Sequence, residues 1–466
     1  MNAKPIATAI PRLAAVLIAV LSRTSAGAAP TMPNFLILVT DDQRWDCLGA
    51  AGHSILKTPH LDRLAAEGIR FTQAFVTTSI CCISRASIAT GLYARRHRVA
   101  DFATPLPREI LERTFPAVLK SAGYHTGCLG KWGIGGPAPA GVFDFWDAWG
   151  GQGTFFHVLD GEEVHNSEFL ARRAEKFLRS RPASGGDERP FCLVVNYKSP
   201  HDPYFPDPRH SAVFERDSIA VPRTYSDAYF ASLPAFIRES EGRTRLLKRH
   251  PTPEAYQAFV KQYLRCVLSV DESAGRLLAL LEELKLADKT VVVFTSDNGF
   301  FLGEHGMTDK WLMHEESIRV PLLIRDPRLP AERRGKTCDE IVLNIDIAPT
   351  VLALAGLEPP EGTDGRSLAP LLAGERPAWR QDFLYEHHYH HGGRIPRTEG
   401  IRTRRWKYIT YFDVAPPFEE MYDLAADPLE ERNLAKDPAH AETLKALKAR
   451  YEEMRAALPP AVVPAN

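Results

Sequence analysis

Cys81 and Cys82 run directly into Ser84 and Arg85 within TTSICCISRASIATGLY, residues 77–93 of the chain. The Ser-, Ala- and Ile-rich run after Ile83 predicts a helix over 84–90, whose first N–H groups and positive dipole end favour an oxyanion. A reactive side chain just before such a helix, with Arg85 beside it, faces a sulfate or phosphate ester. Free cysteines are more often small buried hydrophobes. The chemistry therefore needs partners elsewhere.

Those partners stand at the ends of apolar runs. Asp41 and Asp42 follow NFLILVT (34–40), Lys131 follows a run at 124–129, and His201 follows one at 191–197. Asp297 and Asn298 follow TVVVFT (290–295), with Lys310 a little further on. In open α/β sheets ligands collect beyond the carboxyl ends of the strands, so these groups share one address. Three carboxylates and an amide oxygen suit a hard cation, Ca2+ or Mg2+, whereas zinc favours His and Cys ligands. Two Lys, one Arg and one His are donors for a tetrahedral oxyanion. The residues alone point to metal-assisted hydrolysis of an anionic ester.

The elements that must position them alternate. Helical patterns over 59–67, 115–122, 167–179 and 253–286 separate the apolar runs, and strands are expected at 71–76 and 322–325. This predicts an α/β fold: a large, mostly parallel or mixed sheet sandwiched by helices. Residues 204–250 read as an irregular surface excursion able to wall a cleft. After a Pro- and Gly-rich connection (358–376), strands at 382–386 and 400–411 and a helix over 440–454 predict a smaller C-terminal α+β subdomain, a short antiparallel sheet plus helix. The expected division is a signal peptide at 1–28, a catalytic domain at 29–375 and the C-terminal subdomain at 376–466.

The 466 residues carry a net charge of −1, which argues against a surface for nucleic acid but allows a local basic pocket. Lys4 and Arg12, an apolar core over 13–21 and the small residues Ala26-Gly27-Ala28 predict export to the periplasm or medium. No later run is long enough for stable membrane insertion. Seven cysteines are scattered rather than spaced as a disulfide framework or a zinc site, and one is left over for a special fate.

Taken in order, TDDQRWDCLG, TPHLDRLAAEGIRFTQAF, CCISRASIATG, GKWG, PHDP, SDNGFFLGEHGMTDK, ESIRVPL and DIAPTVLALAG resemble a type I sulfatase, the formylglycine-dependent kind within the alkaline phosphatase superfamily. The phrases IRTRRWKYI and MYDLAADPLEERNLA are similar to its C-terminal subdomain. The resemblance implies that a maturation enzyme oxidises a cysteine to formylglycine within Cys-x-Pro/Ala-x-Arg, and the spacing to Arg85 selects Cys81. It further implies Asp41, Asp42, Asp297 and Asn298 as ligands of one Ca2+, with residue 81 alongside. Arg85 would orient the formylglycine, and Lys131, His201 and Lys310 would contact the sulfate and leaving group. One hydroxyl of the hydrated aldehyde would attack sulfur and the other expel sulfate.

Two positions depart from the pattern. Ile83 stands in place of Pro or Ala, and Gly133 in place of the histidine of Gly-Lys-Trp-His. A sulfated carbohydrate is the expected substrate, with His388, His390, Arg394 and Arg402 in a His- and Arg-rich strip as candidate contacts. Two alternatives stay open: a phosphoester or phosphonate hydrolase of the same superfamily, and a non-catalytic sulfoglycan-binding protein.

Overall fold

The computed structural model describes residues 1, 32–180 and 189–463. Its strands are β1 (Asn34–Thr40), β2 (Ile69–Phe75), β3 (His125–Lys131), β4 (Phe145–Trp149), β5 (Phe156–Leu159), β6 (Glu162–His165), β7 (Phe191–Asn196) and β8 (Thr290–Ser296). They continue with β9 (Phe301–Leu302), β10 (Thr308–Asp309), β11 (Leu322–Arg325), β12 (Lys336–Leu343), β13 (Asp382–His387), β14 (Thr398–Thr403), β15 (Trp406–Tyr411) and β16 (Phe418–Asp423).

Eight strands form one sheet in the order β12-β2-β11-β8-β1-β7-β3-β4. Only β11 runs antiparallel to its neighbours, so the sheet is mixed, as the fold-class expectation allowed. The central strands are apolar along their whole length because both faces are covered. Leu36 and Leu38 of β1 enter a core with Phe177, Leu277 and Val292, whereas Phe35 and Ile37 enter the opposite core with Phe115, Leu119 and Val351. Each fully buried side chain of this size contributes about 1.5–3 kcal/mol. The helices Asn166–Arg179 and Pro253–Glu283 cover the first face; Phe115–Ser121 and Ile347–Leu354 cover the second.

The differences from expectation lie at the edges. The outermost strands β12 and β4 were not anticipated: KTCDEIVL is half exposed and FWDAW half-buried throughout, so neither shows an apolar run. Residues 204–226 are irregular, as expected, apart from a single helical turn at Pro208–His210, whereas the stretch that follows holds the short helices Asp227–Ser232, Ala235–Arg238 and Glu241–Arg249. With only Ile237, Glu241, Gly242 and Leu246 buried, they carry no apolar stripe for a periodicity reading to find.

Near the C-terminus, β13 to β16 make an antiparallel sheet backed by the helix Ala441–Ala456. The run 400–411 is two paired strands with a turn at Arg404-Arg405. This sheet shares a core with the large one, Phe75 stacking on Phe383 at 5.1 Å between ring centres. From Pro33 onward the chain forms one compact unit. The Glu386 N–H donates to the Thr77 carbonyl at 3.0 Å. The Tyr385 hydroxyl accepts from the Ser79 N–H at 3.3 Å and donates to the Trp311 carbonyl at 2.6 Å. The proposed signal segment lies outside the described residues, and no described helix is long and apolar enough to cross a membrane.

Candidate active site

Asp41 and Asp42 leave β1, and Asp297 and Asn298 leave β8, its hydrogen-bonded neighbour, so strand register alone brings them together. The chain turns sharply here: Asp42 has φ 73°, a left-handed conformation that a non-glycine residue adopts at a cost. The turn is held by the Asp42 N–H donating to Asp297 Oδ1 at 3.2 Å, and by the Asp41 N–H donating to the Ser199 carbonyl at 3.2 Å. Oxygens of Asp41, Asp42 and Asp297 lie within 4.8 Å of one another, all fully buried. Asp42 Oδ2 and Asn298 Oδ1 have no hydrogen-bond partner among the described residues. Orphaned oxygens beside clustered carboxylates are what a hard divalent cation would satisfy, so the donor set fits Ca2+.

Cys81 is the first residue of the helix Cys81–Thr90, which begins three residues earlier than expected and is buried along its length. Its Sγ lies 3.4 Å from Asp41 Oδ1, and burial together with Asp41 pushes the thiol up to about 12. One turn on, Arg85 fastens the cluster. Its Nε donates to Asp297 Oδ2 at 2.8 Å, and its Nη1 to the Lys131 carbonyl at 2.6 Å and Asn196 Oδ1 at 3.0 Å. Lys131 Nζ reaches Asp41 Oδ2 at 2.5 Å, and Lys310 Nζ binds Asp42 Oδ1. His201 Nε2 stands 3.8 Å from Asp42 Oδ2, while its Nδ1 donates to the Asp202 carbonyl at 2.8 Å.

The charges sort themselves accordingly. Burial favours a neutral Asp41, yet Lys131, His201, Arg85 and Lys310 hold its carboxyl well below the usual range. Burial and the nearby Asp41 push Asp297 up to about 7, against the pull of Arg85. Burial lowers the His201 imidazole although Asp41 and Asp42 oppose it.

The structure thus brings Asp41, Asp42, Cys81, Arg85, Lys131, His201, Asp297, Asn298 and Lys310 into one buried cluster. It does not bring Arg402 there. That guanidinium is 4 % exposed, 2.8 Å from Gln73 Oε1 and 3.3 Å from Glu315, and lies 4.4 Å from the centre of the Phe75 ring, so it is a packing residue rather than a substrate contact. His388 is also held inside, 2.8 Å from Glu399, which Arg95 joins to Glu386. His390 closes a turn by accepting from the Gly393 N–H. Arg394 is exposed and leads back to the site through Glu241, Arg245 and Asp309, the neighbour of Lys310.

Three neighbours of the cluster escaped the sequence reading. Asn196 ends β7 and accepts from Arg85. Gln152 Oε1 accepts from Lys131 Nζ at 2.8 Å, and Lys198 Nζ donates to the Gln152 carbonyl at 3.1 Å. A Gln in a Gly-rich loop and a Lys after a strand have no distinctive signal; only the register of β7, β3 and β4 makes them neighbours.

Gly133 also gains a reason. It adopts φ 75°, and a Cβ there would lie 2.9 Å from Arg85 Cδ. Gly133→Ala is expected to destabilise the fold by about 1–3 kcal/mol and to lower activity by displacing Arg85. Urea unfolding beside an activity assay checks this, and unchanged values for both would refute the account.

A mixed α/β sheet whose carboxyl ends present a buried carboxylate cluster, opposed by fixed cations and a helix-initial cysteine, defines a hydrolase of anionic esters. Comparison with known proteins narrows the class, and the chain belongs to the sulfatase family. The sulfatase family model matches residues 33–357, and that of the N-sulphoglucosamine sulphohydrolase C-terminal region matches residues 303–457. The protein is accordingly a sulfuric ester hydrolase. The chain is 32% identical to an N-acetylglucosamine-6-O-sulfatase of Bacteroides thetaiotaomicron, over 90% of this chain and 86% of that one. A solved structure in complex with D-glucosamine-2-N,6-O-disulfate superposes with a TM-score of 0.81 at 30% identity, covering 91% of this chain and 98% of its own. A phosphonate monoester hydrolase from Silicibacter pomeroyi superposes at 0.77 with 25% identity, covering 92% and 96%.

Proposed function

We propose that this protein removes a sulfate ester from an amino sugar of a sulfated glycan, using Cys81 in its formylglycine form and one Ca2+. The carrying observation is the Cys81 thiol resting on Asp41 inside a carboxylate cluster that Lys131, Arg85 and Lys310 neutralise. The amino-sugar substrate is supported by the N-acetylglucosamine-6-O-sulfatase and by the disulfated glucosamine in the related structure. The calcium reading is supported by the orphaned Asp42 and Asn298 oxygens.

Asp41, Asp42, Asp297 and Asn298 would hold the Ca2+, which would supply a Lewis acid when bound, and residue 81 in its oxidised, hydrated form would supply the nucleophile. The chain does the rest. Arg85 fixes residue 81 by tying its helix to Asp297 and to the end of β3. Lys131 and Lys310 offer charge to the sulfuryl oxygens as negative charge grows there. The Nδ1–H of His201 is committed to the Asp202 carbonyl, which leaves Nε2 to hand a proton to the departing alkoxide. Ile83 packs in an apolar cluster with Cys82, Trp132 and Trp311, so the maturation enzyme would have to accept a larger residue there. Export through residues 1–28 fits a polymeric substrate found outside the cell.

The phosphonate hydrolase among the structural neighbours favours one second reading. Protein from the native host should hydrolyse glucosamine 6-sulfate at least about a hundredfold faster than a phosphonate monoester, a transition-state difference of about 2.7 kcal/mol. Mass spectrometry of the peptide containing Cys81 should show the aldehyde. A reversed preference installs the phosphonate reading, and an unmodified thiol with no turnover installs the glycan-binding one.

A further inference from the structure

Lys198 is a cation at the site to which the mechanism above gives no work. It lies two residues beyond β7, between Asn196, which binds Arg85, and His201. It is 4 % exposed, and among the described residues its ammonium has one acceptor, the Gln152 carbonyl oxygen at 3.1 Å. The ring of Phe155 covers it, 4.8 Å from Nζ to the ring centre. Two of its three N–H donors are thus uncommitted. Gln152, which accepts from this ammonium, also accepts from Lys131, so Lys198 is one residue removed from the cation that binds Asp41. A buried ammonium with unmatched donors is costly, and an incoming anion would match them.

Gln152 links this lysine to Lys131. Its carbonyl accepts from Lys198, and its Oε1 accepts from Lys131 at 2.8 Å. The pairing is set by the sheet: Lys131 is opposite Trp149 at the end of the parallel β3–β4 pair, and Gln152 lies three residues beyond. One residue therefore spaces two ammonium groups that approach from different strands. We propose that Lys198 is a further sulfuryl-binding residue and that Gln152 is a positioning residue that sets the separation of Lys131 and Lys198. This explains how the site does without a side chain at position 133, where φ 75° and the contact with Arg85 make one costly. The sulfuryl group is gripped from the β7 side instead.

The proposal rests on the sulfatase reading, and its test keeps the two apart. Binding is measured by calorimetry on Cys81→Ala protein, which needs no maturation, with glucosamine 6-sulfate and inorganic sulfate as probes. Adding Lys198→Ala should weaken both by about tenfold or more, the effect of losing one charge-assisted hydrogen bond. Lys198→Arg should restore most of the affinity, whereas Lys198→Gln, which keeps the packing and loses the charge, should not. In the matured enzyme Gln152→Ala should raise KM more than it lowers kcat. Affinity within twofold in Lys198→Ala overturns the proposal. So does a loss that Lys198→Gln repairs as well as Lys198→Arg, because that marks packing. Absence of turnover by matured wild-type protein would overturn the sulfatase reading, while sulfate binding by the Cys81→Ala series would still decide the role of Lys198.

Discussion

Replacing Cys81 with alanine is expected to abolish turnover, lowering kcat/KM for a sulfated amino sugar by at least about 10^4-fold while the protein stays folded. The size follows from the nucleophilic role proposed for residue 81. Removing a nucleophile leaves only the rate enhancement of binding and charge stabilisation, several orders of magnitude below the whole. The fold should survive because Sγ makes one long hydrogen bond, to Asp41. The unmodified thiol is no substitute nucleophile: burial and Asp41 push it up to about 12, so it stays protonated at neutral pH and unreactive. Unaltered kinetics in Cys81→Ala would show that residue 81 takes no part in bond cleavage. Near-UV circular dichroism matching the wild type confirms that the loss is chemical.

The second large effect is expected at Arg85, and in stability as well as rate. Arg85 is 4 % exposed and bonds Asp297, the Lys131 carbonyl and Asn196 at once. Arg85→Ala would leave Asp297 buried beside Asp41 with its strongest counter-charge gone. Deleting one partner of a buried, hydrogen-bonded ion pair costs about 3–5 kcal/mol. Denaturant unfolding should show a loss of that order, and activity should fall with it. Arg85→Lys keeps a charge but cannot span three acceptors in one plane, so it should recover part of the stability and little of the rate. A loss below about 1 kcal/mol in Arg85→Ala would mean that the carboxylates are balanced some other way.

How far the site could be read beforehand depended on whether residues are joined by sequence or by register. Asp41, Asp42, Asp297 and Asn298 were legible because each pair ends an uninterrupted apolar run, and β1 and β8 lie side by side. Strands with both faces covered announce themselves in this way; β12 and β4, at the sheet's margins, do not. Lys198 and Gln152 were missed because their meaning comes from each other, through a carbonyl that no side-chain pattern encodes. Arg402 erred in the opposite direction. An arginine-rich strip looks like a binding face until the sheet turns one of its members inward onto Glu315 and Phe75.

The hydroxyl of Tyr385 has a practical consequence for anyone recombining such proteins. It touches the strand-to-helix link before Cys81 and the segment beside Lys310 together. A chimera joined near residue 376 would pair one parent's link before Cys81 with the other parent's phenol, and the two would have been tuned separately. Breakpoints that exchange the stretch between Phe205 and Arg249 leave that three-way junction in one lineage. They exchange the helices between Asp227 and Arg249 without touching Ser79, Trp311 or Tyr385.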